Sequence, residues 1–341
     1  MNKGTGPVGQ PCPITIVGGG LAGCMMAWAL SARGRQVRLF DRGDEVTSSK
    51  VAAGIINPVT GPKLTKAWRF EELWPAALRF YESIQQKTGK KIFHQMPLIR
   101  LLDSVKETDR WRRRLQSPGY AECLSDCPPD PGKYLRREHG SLSFDNAGYL
   151  DIRKFITLTR DLLGDDWRAG ELLEAQAEGI TLFCEGFSGM ANPLFEWVQF
   201  KPAKGEILTL YIAGLEQDRI VNRGGVWLLP VGGGQFRCGA TYDWERSDCE
   251  PTAQGRQKIE TRLARLLQLP YEVIGHEAAV RPVVRKSRLL CGMHPAHGRI
   301  GFFNGLGSKG VLTSPFFAEN FADYLCGRGA IDPEVDLCRN I

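Results

Sequence analysis

The stretch ITIVGGGLAG, residues 14–23, decides the fold of this chain. Its first four residues are apolar and mostly β-branched, which is typical of a buried parallel strand. Three glycines end that strand, and from Leu21 the composition changes to Ala, Met, Trp and Leu, which predicts a helix that Gly34 ends. Residues 37–41 predict the next strand. The chain therefore opens with a β-α-β unit, the unit that builds parallel sheets.

The glycines match the pattern Gly-x-Gly-x-x-Gly, and the strand before and the helix after them give this match the right context. Gly18 permits the tight turn, Gly20 lets the backbone approach a diphosphate, and Gly23 lets helix and strand pack closely. The N–H groups at the helix N-terminus then face the diphosphate, and Asp41 accepts hydrogen bonds from a ribose. The motif predicts NAD or FAD; a glycine-rich turn without a ligand is the alternative.

The remainder of the chain follows a different pattern. We predict helices at 74–88, 151–163, 252–267 and after the glycine turn 305–310, and buried strands at 180–183 and 300–303. Pro75 is expected near the first turn of its helix, where proline is tolerated. A charged, proline-rich loop is predicted from the end of this helix, after Thr88, through Pro131. Between 205 and 242, short apolar runs alternate with glycine pairs, which favours antiparallel strands.

The composition is that of an ordinary globular protein. Of 341 residues, 43% are hydrophobic and 24% are charged, with a formal net charge of +6. No apolar run approaches the roughly 20 residues of a membrane span, and residues 1–13 are typical of a loose leader, not of a signal peptide. The ten cysteines are scattered without a Cys-x-x-Cys pair, which favours the cytoplasm. A zinc site at Cys123 and Cys127 is an alternative to ordinary loop cysteines.

The basic residues include one local cluster, Arg110, Arg112, Arg113 and Arg114. Such a run is either a solvated helix face or a contact for an acidic partner such as RNA.

Seven short segments after the dinucleotide motif follow one another in an order that is typical of one family: SSKVAAG (48–54), CEGFSG (184–189), KGE (204–206), GAT (239–241), RP (281–282), GMHP (292–295) and GLGSKG (305–310). Together they resemble the D-amino-acid-oxidase superfamily, and its glycine-oxidase-like and sarcosine-oxidase-like members in particular. The resemblance covers most of the chain. It implies that the cofactor is FAD.

The resemblance also implies the architecture. We expect an α/β fold in which a Rossmann-like FAD-binding domain with a parallel sheet is interrupted by a mostly antiparallel substrate domain. We place the FAD-binding domain at 1–84, 144–200 and 277–341. The substrate-binding domain is placed at 85–143 and 201–276.

The resemblance assigns the cofactor site to the glycine motif, the end of the second strand, the 48–54 segment, one later strand end and the last glycine turn. The residues expected to bind FAD are Gly18, Gly20, Leu21, Ala22, Gly23, Asp41, Arg42, Ser48, Ser49, Ala53, Gly54, Gly186, Gly305, Gly307, Ser308, Lys309 and Gly310. In the family the last turn lies against the pyrimidine edge of the flavin, where a helix N-terminus offsets negative charge. Lys309 either adds to that effect or points into solvent. Covalent attachment of the flavin stays open, with Cys291 near the relevant region.

Arg281 stands where glycine-oxidase-like enzymes hold the substrate carboxylate, which a guanidinium binds through two parallel hydrogen bonds. A structural ion pair is the alternative. Trp227 and Tyr242 are expected to form aromatic pocket walls, or else to be core. Residues 224–227 and 285–290 depart from the glycine-oxidase pattern, so we expect a substrate other than glycine. No catalytic acid or base and no metal ligand is predicted, because the flavin carries the chemistry. His294 is expected to pack in a turn.

The leading hypothesis is an FAD-dependent enzyme that oxidises the carbon–nitrogen bond of a small amine or amino acid. The imine is then hydrolysed, and O2 or another acceptor takes the electrons. Two alternatives stay open. The segment 53–58 and the helix around 79–81 are similar to the oxidase half of a tRNA wobble-uridine modification enzyme, which implies a carboxymethylaminomethyl uridine as substrate. A non-catalytic flavoprotein is the other. The sequence does not decide the oligomeric state.

Overall fold

The computed structural model describes residues 12–126, 129–130, 132–172, 179–285 and 288–340. The α-helices in these ranges are α1 (Leu21–Ser31), α2 (Ser48–Val51), α3 (Phe70–Thr88), α4 (Val105–Arg114), α5 (Ile152–Leu163), α6 (Ala253–Leu263) and α7 (Gly310–Leu325). The strands are β1 (Ile14–Val17), β2 (Val37–Asp41), β3 (Ile55–Ile56), β4 (Val59–Thr60), β5 (Thr65–Lys66), β6 (Phe93–Gln95), β7 (Leu98–Leu101), β8 (Ser141–Phe144), β9 (Gly148–Leu150), β10 (Trp167–Ala169), β11 (Thr181–Phe183), β12 (Ala203–Tyr211), β13 (Ile220–Arg223), β14 (Val226–Gly232), β15 (Gln235–Gly239), β16 (Glu272–Arg281), β17 (Leu290–Met293) and β18 (Ile300–Asn304).

The β-α-β opening lies at the centre of a six-stranded sheet with the order β10-β2-β1-β11-β18-β17. The first five strands are parallel, and β17 runs antiparallel to β18. Helix α1 is buried from Leu21 to Leu30 because its small and apolar side chains face both the sheet and neighbouring helices. Tyr81 on α3 donates to the carbonyl of Val311 on α7 at 2.6 Å, which joins the two helices in the same core.

A second, seven-stranded sheet has the order β16-β12-β15-β14-β13-β7-β8. Its strands are antiparallel except for the parallel pair of β13 and β7. Its own core includes Leu208, Phe236, Ile259 and Leu263, so α6 covers one face of this sheet. The two parts together confirm the expected fold class, a parallel sheet interrupted by a mostly antiparallel one.

Helix α2 joins the two parts of the molecule. Its Val51 packs with Ile207, Ala240 and Ala279 of the seven-stranded sheet in a small buried cluster. The helix itself follows β2 of the six-stranded sheet by only a short loop. The antiparallel sheet is therefore held directly against the segment that the resemblance assigns to the cofactor.

The loop predicted after Thr88 through Pro131 is wrong over residues 93–114. The chain there forms β6, β7 and α4, and all four residues of β7 are buried. The sequence analysis did not predict this strand because Arg100 interrupts its apolar residues, and a charged residue among apolar ones is typical of a surface segment. Its guanidinium is instead buried against the carboxylate of Glu107 on α4. The ion pair that permits this burial is visible only in three dimensions.

Two further differences concern element boundaries. Helix α3 begins at Phe70 instead of Trp74, which places Pro75 in the second turn instead of the first. Strand β16 was not predicted, because Gly275 and two charged or ionisable residues interrupt its apolar pattern. This strand also crosses the position at which we placed a domain boundary, between residues 276 and 277.

None of the helices in the described ranges is long and apolar enough to cross a membrane. The His, Cys, Asp and Glu side chains of these ranges form no group of three that could hold a metal ion. Cys127, half of the zinc alternative, lies outside the described residues, as do most of the residues of the predicted leader.

Candidate functional site

One large cavity of about 1320 Å³ extends from the carboxyl ends of the parallel strands to the face of the seven-stranded sheet. It collects most of the residues expected to bind the cofactor: Gly18, Gly20, Leu21, Ala22, Asp41, Arg42, Ser48, Ser49, Ala53, Gly54, Gly186, Gly307, Ser308, Lys309 and Gly310. The three expected substrate residues, Trp227, Tyr242 and Arg281, line the same cavity. Segments that are far apart in the sequence therefore converge on one site.

Two expected cofactor residues do not line the cavity. A Cβ on Gly23 would lie 1.9 Å from the carbonyl oxygen of Gly18, so this glycine permits the close packing of α1 on the first turn. A Cβ on Gly305, whose φ is +80°, would lie 2.7 Å from a methyl carbon of Val284. Both glycines shape the backbone that surrounds the site.

The N-terminus of α1 opens into the cavity without a side-chain cap, because its N-cap residue is Gly20. One of its amides, that of Leu21, donates to the hydroxyl of Ser49 at 2.9 Å. Helices α4, α5 and α6 are instead capped by a Ser, an Asp and a Thr side chain, whereas α3 follows Arg69 without such a cap. An uncapped, buried helix N-terminus needs an external acceptor, and its dipole favours an anion.

Asp41 lies at the rim of the same end of the cavity. One carboxylate oxygen accepts from the amide of Gly19 at 2.6 Å, and the other accepts from the amide of Gly43 at 2.9 Å. Because each oxygen has a second lone pair, the carboxylate retains the capacity to accept from a ribose hydroxyl. Arg42 donates to Ser188 at 2.6 Å and so bridges the end of β2 to the turn after β11.

At the other end of the cavity, α7 also begins without a side-chain cap, at Lys309. Lys309 is an exposed residue along much of its length, yet desolvation of its ammonium lowers the pKa below the usual lysine value. Among the described residues, no carboxylate lies within ion-pair distance of this ammonium. Two uncapped helix N-termini thus face one elongated cavity. That arrangement fits FAD, which carries a diphosphate between its adenosine and riboflavin halves and, at one end, a ring that gains negative charge on reduction.

Arg281 ends β16 beside the cavity. Its guanidinium stacks on the ring of Tyr242, 4.1 Å from the ring centroid, and donates to the carbonyl oxygen of Thr241 at 3.3 Å. Among the described residues, no carboxylate lies within ion-pair distance of it, and desolvation lowers its pKa. The structural ion pair that the sequence left open is therefore not present in the described part of the chain. A desolvated cation without a counter-ion is costly, so this position favours an anionic ligand.

Gly205 creates the room for that guanidinium. A Cβ built on Gly205 would lie 2.2 Å from one terminal nitrogen of Arg281 and 2.3 Å from the other. Ala203 of β12 pairs with Arg281 of β16, so the glycine lies beside the arginine side chain on the neighbouring strand. The apolar wall around this end includes Ile207, Ala240 and Trp227.

Glu185 is a cavity residue to which the sequence analysis gave no role. Burial raises the pKa of its carboxyl, while a hydrogen bond from Asn192 at 2.7 Å lowers it. A signal was present, because a charged residue at the carboxyl end of a parallel strand lies where α/β proteins bind ligands. His294 is packed as expected: one ring nitrogen lies 3.1 Å from the carbonyl of Leu194, and the other accepts from the amide of Ala296.

The basic cluster divides in the structure. Arg112 points outward and pairs with Asp109 at 3.1 Å. Arg110, Arg113 and Arg114 line a smaller cavity of about 410 Å³ together with Lys63 and Ser117, which we call the basic pocket. The described structure places no carboxylate within ion-pair distance of its four cations.

A short loop, residues 60–63, separates the basic pocket from the large cavity. Its residues 60–62 line the large cavity, and Lys63 lines the basic pocket. Three arginines hold the loop by its carbonyls: Arg100 donates to Gly61, Arg110 to Pro62 and Arg114 to Lys63. A basic surface and the end of the cavity near the seven-stranded sheet are thus neighbours.

Comparison with known proteins agrees with this geometry. A family model described as FAD dependent oxidoreductase matches residues 13–164 and 156–324. The tRNA 5-methylaminomethyl-2-thiouridine biosynthesis bifunctional protein MnmC of Marinobacter nauticus is 25% identical over 357 residues, which cover 93% of this chain and 56% of that protein. The glycine oxidase of Pseudomonas putida is 24% identical, over 94% of this chain and 96% of that enzyme. The chain thus spans about half the length of this MnmC relative and nearly all of the glycine oxidase.

Solved structures show the same fold. The glycine oxidase from Bacillus cereus superposes with a TM-score of 0.77 at 17% identity, covering 94% of this chain and 96% of that one. The iminodiacetate oxidase of a Chelativorans species superposes with a TM-score of 0.75 at 18% identity, covering 93% and 96%.

Proposed function

The chain belongs to the DAO family of FAD-dependent oxidoreductases, and we propose that it oxidises the carbon–nitrogen bond of a small amine or amino acid that carries a carboxylate. The observation that supports this substrate class is Arg281, a desolvated guanidinium without an acidic partner among the described residues, at the end of the cavity opposite α1. A carboxylate would supply the missing charge and two hydrogen-bond acceptors.

When bound, FAD supplies the acceptor for the hydride that leaves the carbon next to the substrate nitrogen. The N-terminus of α1 would hold the diphosphate, with Ser49 and Asp41 beside it. The N-terminus of α7, with Lys309, would lie at the pyrimidine edge of the ring. These contacts would place positive partial charge at the diphosphate, where negative charge resides, and at the flavin ring, where it develops on reduction.

The chain's remaining task is to bind and orient the substrate. Arg281 would fix the carboxylate, and Trp227 and Tyr242 would form the walls that exclude water. Orientation of this kind accounts for much of the rate gain when two reacting groups must meet. The neutral amine gives up a hydride and a proton, and the resulting imine is hydrolysed by water. We propose O2, reduced to H2O2, as the electron acceptor.

The test is anaerobic reduction of the bound flavin, which is measured as the loss of its visible absorbance. The panel contains N-alkyl amino acids, D-amino acids and cyclic imino acids, each beside the matching amine without a carboxylate. We expect bleaching with at least one carboxylate substrate and much weaker bleaching with its decarboxylated counterpart. A flavin that no amine reduces would support the non-catalytic alternative, and equal rates for both members of a pair would remove the carboxylate from the proposal.

A second candidate is oxidation of a carboxymethylamino group carried on tRNA uridine. Two observations favour it: the similarity to MnmC proteins, which are named for tRNA 5-methylaminomethyl-2-thiouridine biosynthesis, and the basic pocket one loop away from the cavity. Phosphate groups of an RNA backbone would occupy the basic pocket while the modified base reaches the cavity. The chemistry at the carbon–nitrogen bond is the same, on a larger substrate.

A binding measurement with tRNA over a series of salt concentrations separates the two candidates. For RNA contacts, the affinity falls steeply with salt, with a logarithmic slope of roughly −0.7 to −0.9 per phosphate contacted. The double variant Lys63→Ala, Arg113→Ala should reduce that slope by about 2. The control is the double variant Lys106→Ala, Arg112→Ala, which removes two cations of α4 that lie outside the pocket. Weak binding that does not respond to salt would contradict the RNA candidate.

A further inference from the structure

The last carbonyls of helix α2 are held from two directions. Arg153 of α5 donates through Nε to the carbonyl of Lys50 at 2.8 Å. Arg237 of β15 donates through a terminal nitrogen to the carbonyl of Val51 at 2.7 Å. Carbonyls at a helix C-terminus lack partners within the helix, so the two guanidinium groups satisfy them.

Glu277 of β16 connects these two arginines. One of its carboxylate oxygens lies 2.6 Å from Arg153, and the other lies 3.0 Å from Arg237. Arg237 is the buried member: desolvation lowers its pKa, and the charge of Glu277 opposes that shift. Its Nε is buried without a hydrogen-bond partner. A single carboxylate thus completes a bridge from the substrate sheet to the helix that adjoins the cofactor end of the cavity.

The same strand carries the residue proposed to bind the substrate. Glu277, Ala279 and Arg281 point to one face of β16, because successive side chains of a strand alternate. Four residues of strand separate Glu277 from Arg281, roughly 13 Å at about 3.3 Å per residue. Ala279 between them packs against Val51 of α2. One strand therefore sets the distance between the proposed carboxylate-binding group and the segment that lines the cofactor end.

We propose that Glu277 is a positioning residue that holds the substrate-binding strand in register with the cofactor-binding helix α2. The inference rests on the proposed function for the meaning of Arg281. An exposed ion pair alone contributes little, and the Arg153 side of the bridge is exposed. The Arg237 side differs, because loss of its counter-ion leaves a desolvated cation on the helix carbonyl and releases the contact between sheet and helix.

The decisive variant is Glu277→Gln, which keeps the shape of the side chain and removes its charge. Arg281 still binds the carboxylate in this variant, but the substrate carbon is displaced from the flavin. We expect the limiting rate of anaerobic flavin reduction to fall between about 10-fold and 100-fold, because small displacements of reacting groups have effects of that size. The substrate concentration that gives half of the limiting rate should change less than about threefold. Glu277→Asp should recover part of the rate.

The matched control is Glu272→Gln, at an exposed residue of the same strand that has no ion-pair partner among the described residues. It should reduce at the wild-type rate. A purely structural role for Glu277 would lower the melting temperature without changing the limiting rate of the folded, flavin-loaded protein, and that result would overturn the inference.

One further readout, the binding of FAD, keeps the inference independent of the substrate. The dissociation constant of FAD, measured by fluorescence titration of the cofactor-free protein, should rise about tenfold in Glu277→Gln and stay unchanged in the control. If Glu277→Gln does not fold, Arg153→Met removes the exposed half of the bridge and should raise the same constant by a smaller factor. A wild-type flavin that no amine reduces contradicts the proposed function, whereas unchanged FAD binding and rates in the variant contradict only the role of Glu277.

Discussion

At the scale of residues, the site depends on the missing side chain of Gly205 and on the guanidinium group of Arg281. The absence of a side chain at Gly205 leaves the volume that the guanidinium occupies. The ring of Tyr242 covers the guanidinium from one side and shields it from water. The guanidinium is desolvated, and no described acid neutralises it. It is therefore costly as a structural group and well suited to bind a carboxylate.

We predict that Arg281→Ala lowers kcat/KM for carboxylate substrates by roughly 10- to 100-fold, since hydrogen bonds to a charged group contribute about 1.5–3 kcal/mol. Arg281→Lys should fall between the wild type and the alanine variant, because an ammonium keeps the charge but loses the planar pair of donors. Steady-state kinetics of the two variants with a carboxylate substrate and with its decarboxylated counterpart give the comparison. The flavin spectrum should be unchanged, and unaltered kinetics in Arg281→Ala would exclude the residue from the site.

At the scale of elements, two long helices, α1 and α7, begin at the large cavity without side-chain caps. Their N-cap residues explain this, since neither Gly20 nor Lys309 has a side-chain oxygen that could cap the helix. A third element, the loop 60–63, is held by three arginine side chains in addition to its own backbone hydrogen bond from Leu64 to Gly61. The elements around the cavity are therefore completed by groups from outside themselves.

We predict that Lys309→Met lowers the two-electron midpoint potential of the bound flavin by about 10–30 mV. The variant loses a positive charge near the ring, and such a charge near a helix N-terminus contributes on the order of 1 kcal/mol, where 30 mV corresponds to about 1.4 kcal/mol. Spectroelectrochemical titration of wild type and variant measures the difference.

The difference should also depend on pH. Desolvation lowers the pKa of Lys309. The ammonium is charged below that pKa and neutral above it, so wild type and variant should converge as the pH rises through a value below the usual one for lysine. A constant difference across that range would mean that the charge of Lys309 does not act on the flavin.

At the scale of the whole molecule, the cavity lies between two sheets. The contacts that join them include the small cluster around Val51, the hydrogen bonds to the end of α2, and the main core, to which Leu98 and Ile220 of the seven-stranded sheet contribute. A cofactor that fills the cavity would contact both halves. Ligand binding to the folded state alone stabilises a protein by mass action.

We predict that FAD at about 100 times its dissociation constant stabilises the cofactor-free protein by about 2.7 kcal/mol. For a chain of this size, that corresponds to a rise in melting temperature of roughly 4 °C. Differential scanning calorimetry with and without FAD measures the shift, and riboflavin, which lacks the diphosphate, serves as the control ligand. An equal shift with riboflavin would contradict the assignment of the diphosphate to the N-terminus of α1.

The sequence was sufficient where structure depends on neighbours in the chain. Residues 14–41 predicted strand, turn, helix and strand with nearly the observed bounds, because glycine conformations and apolar periodicity are local properties. It was insufficient for β7, where a buried arginine requires Glu107, and for β16, whose irregular pattern is stabilised by pairing with β12.

What the sequence by itself determined is the opening β-α-β unit, the fold class and the use of FAD, since these follow from local turn chemistry and from ordered segments that mark the family. Only the tertiary structure decided which glycines line the cavity and which serve packing, and that Arg281 has no described acidic partner. It also decided that three arginines of the basic cluster line a pocket while Arg112 faces solvent. Those properties depend on distances between segments remote in the chain, which no local pattern of side chains encodes.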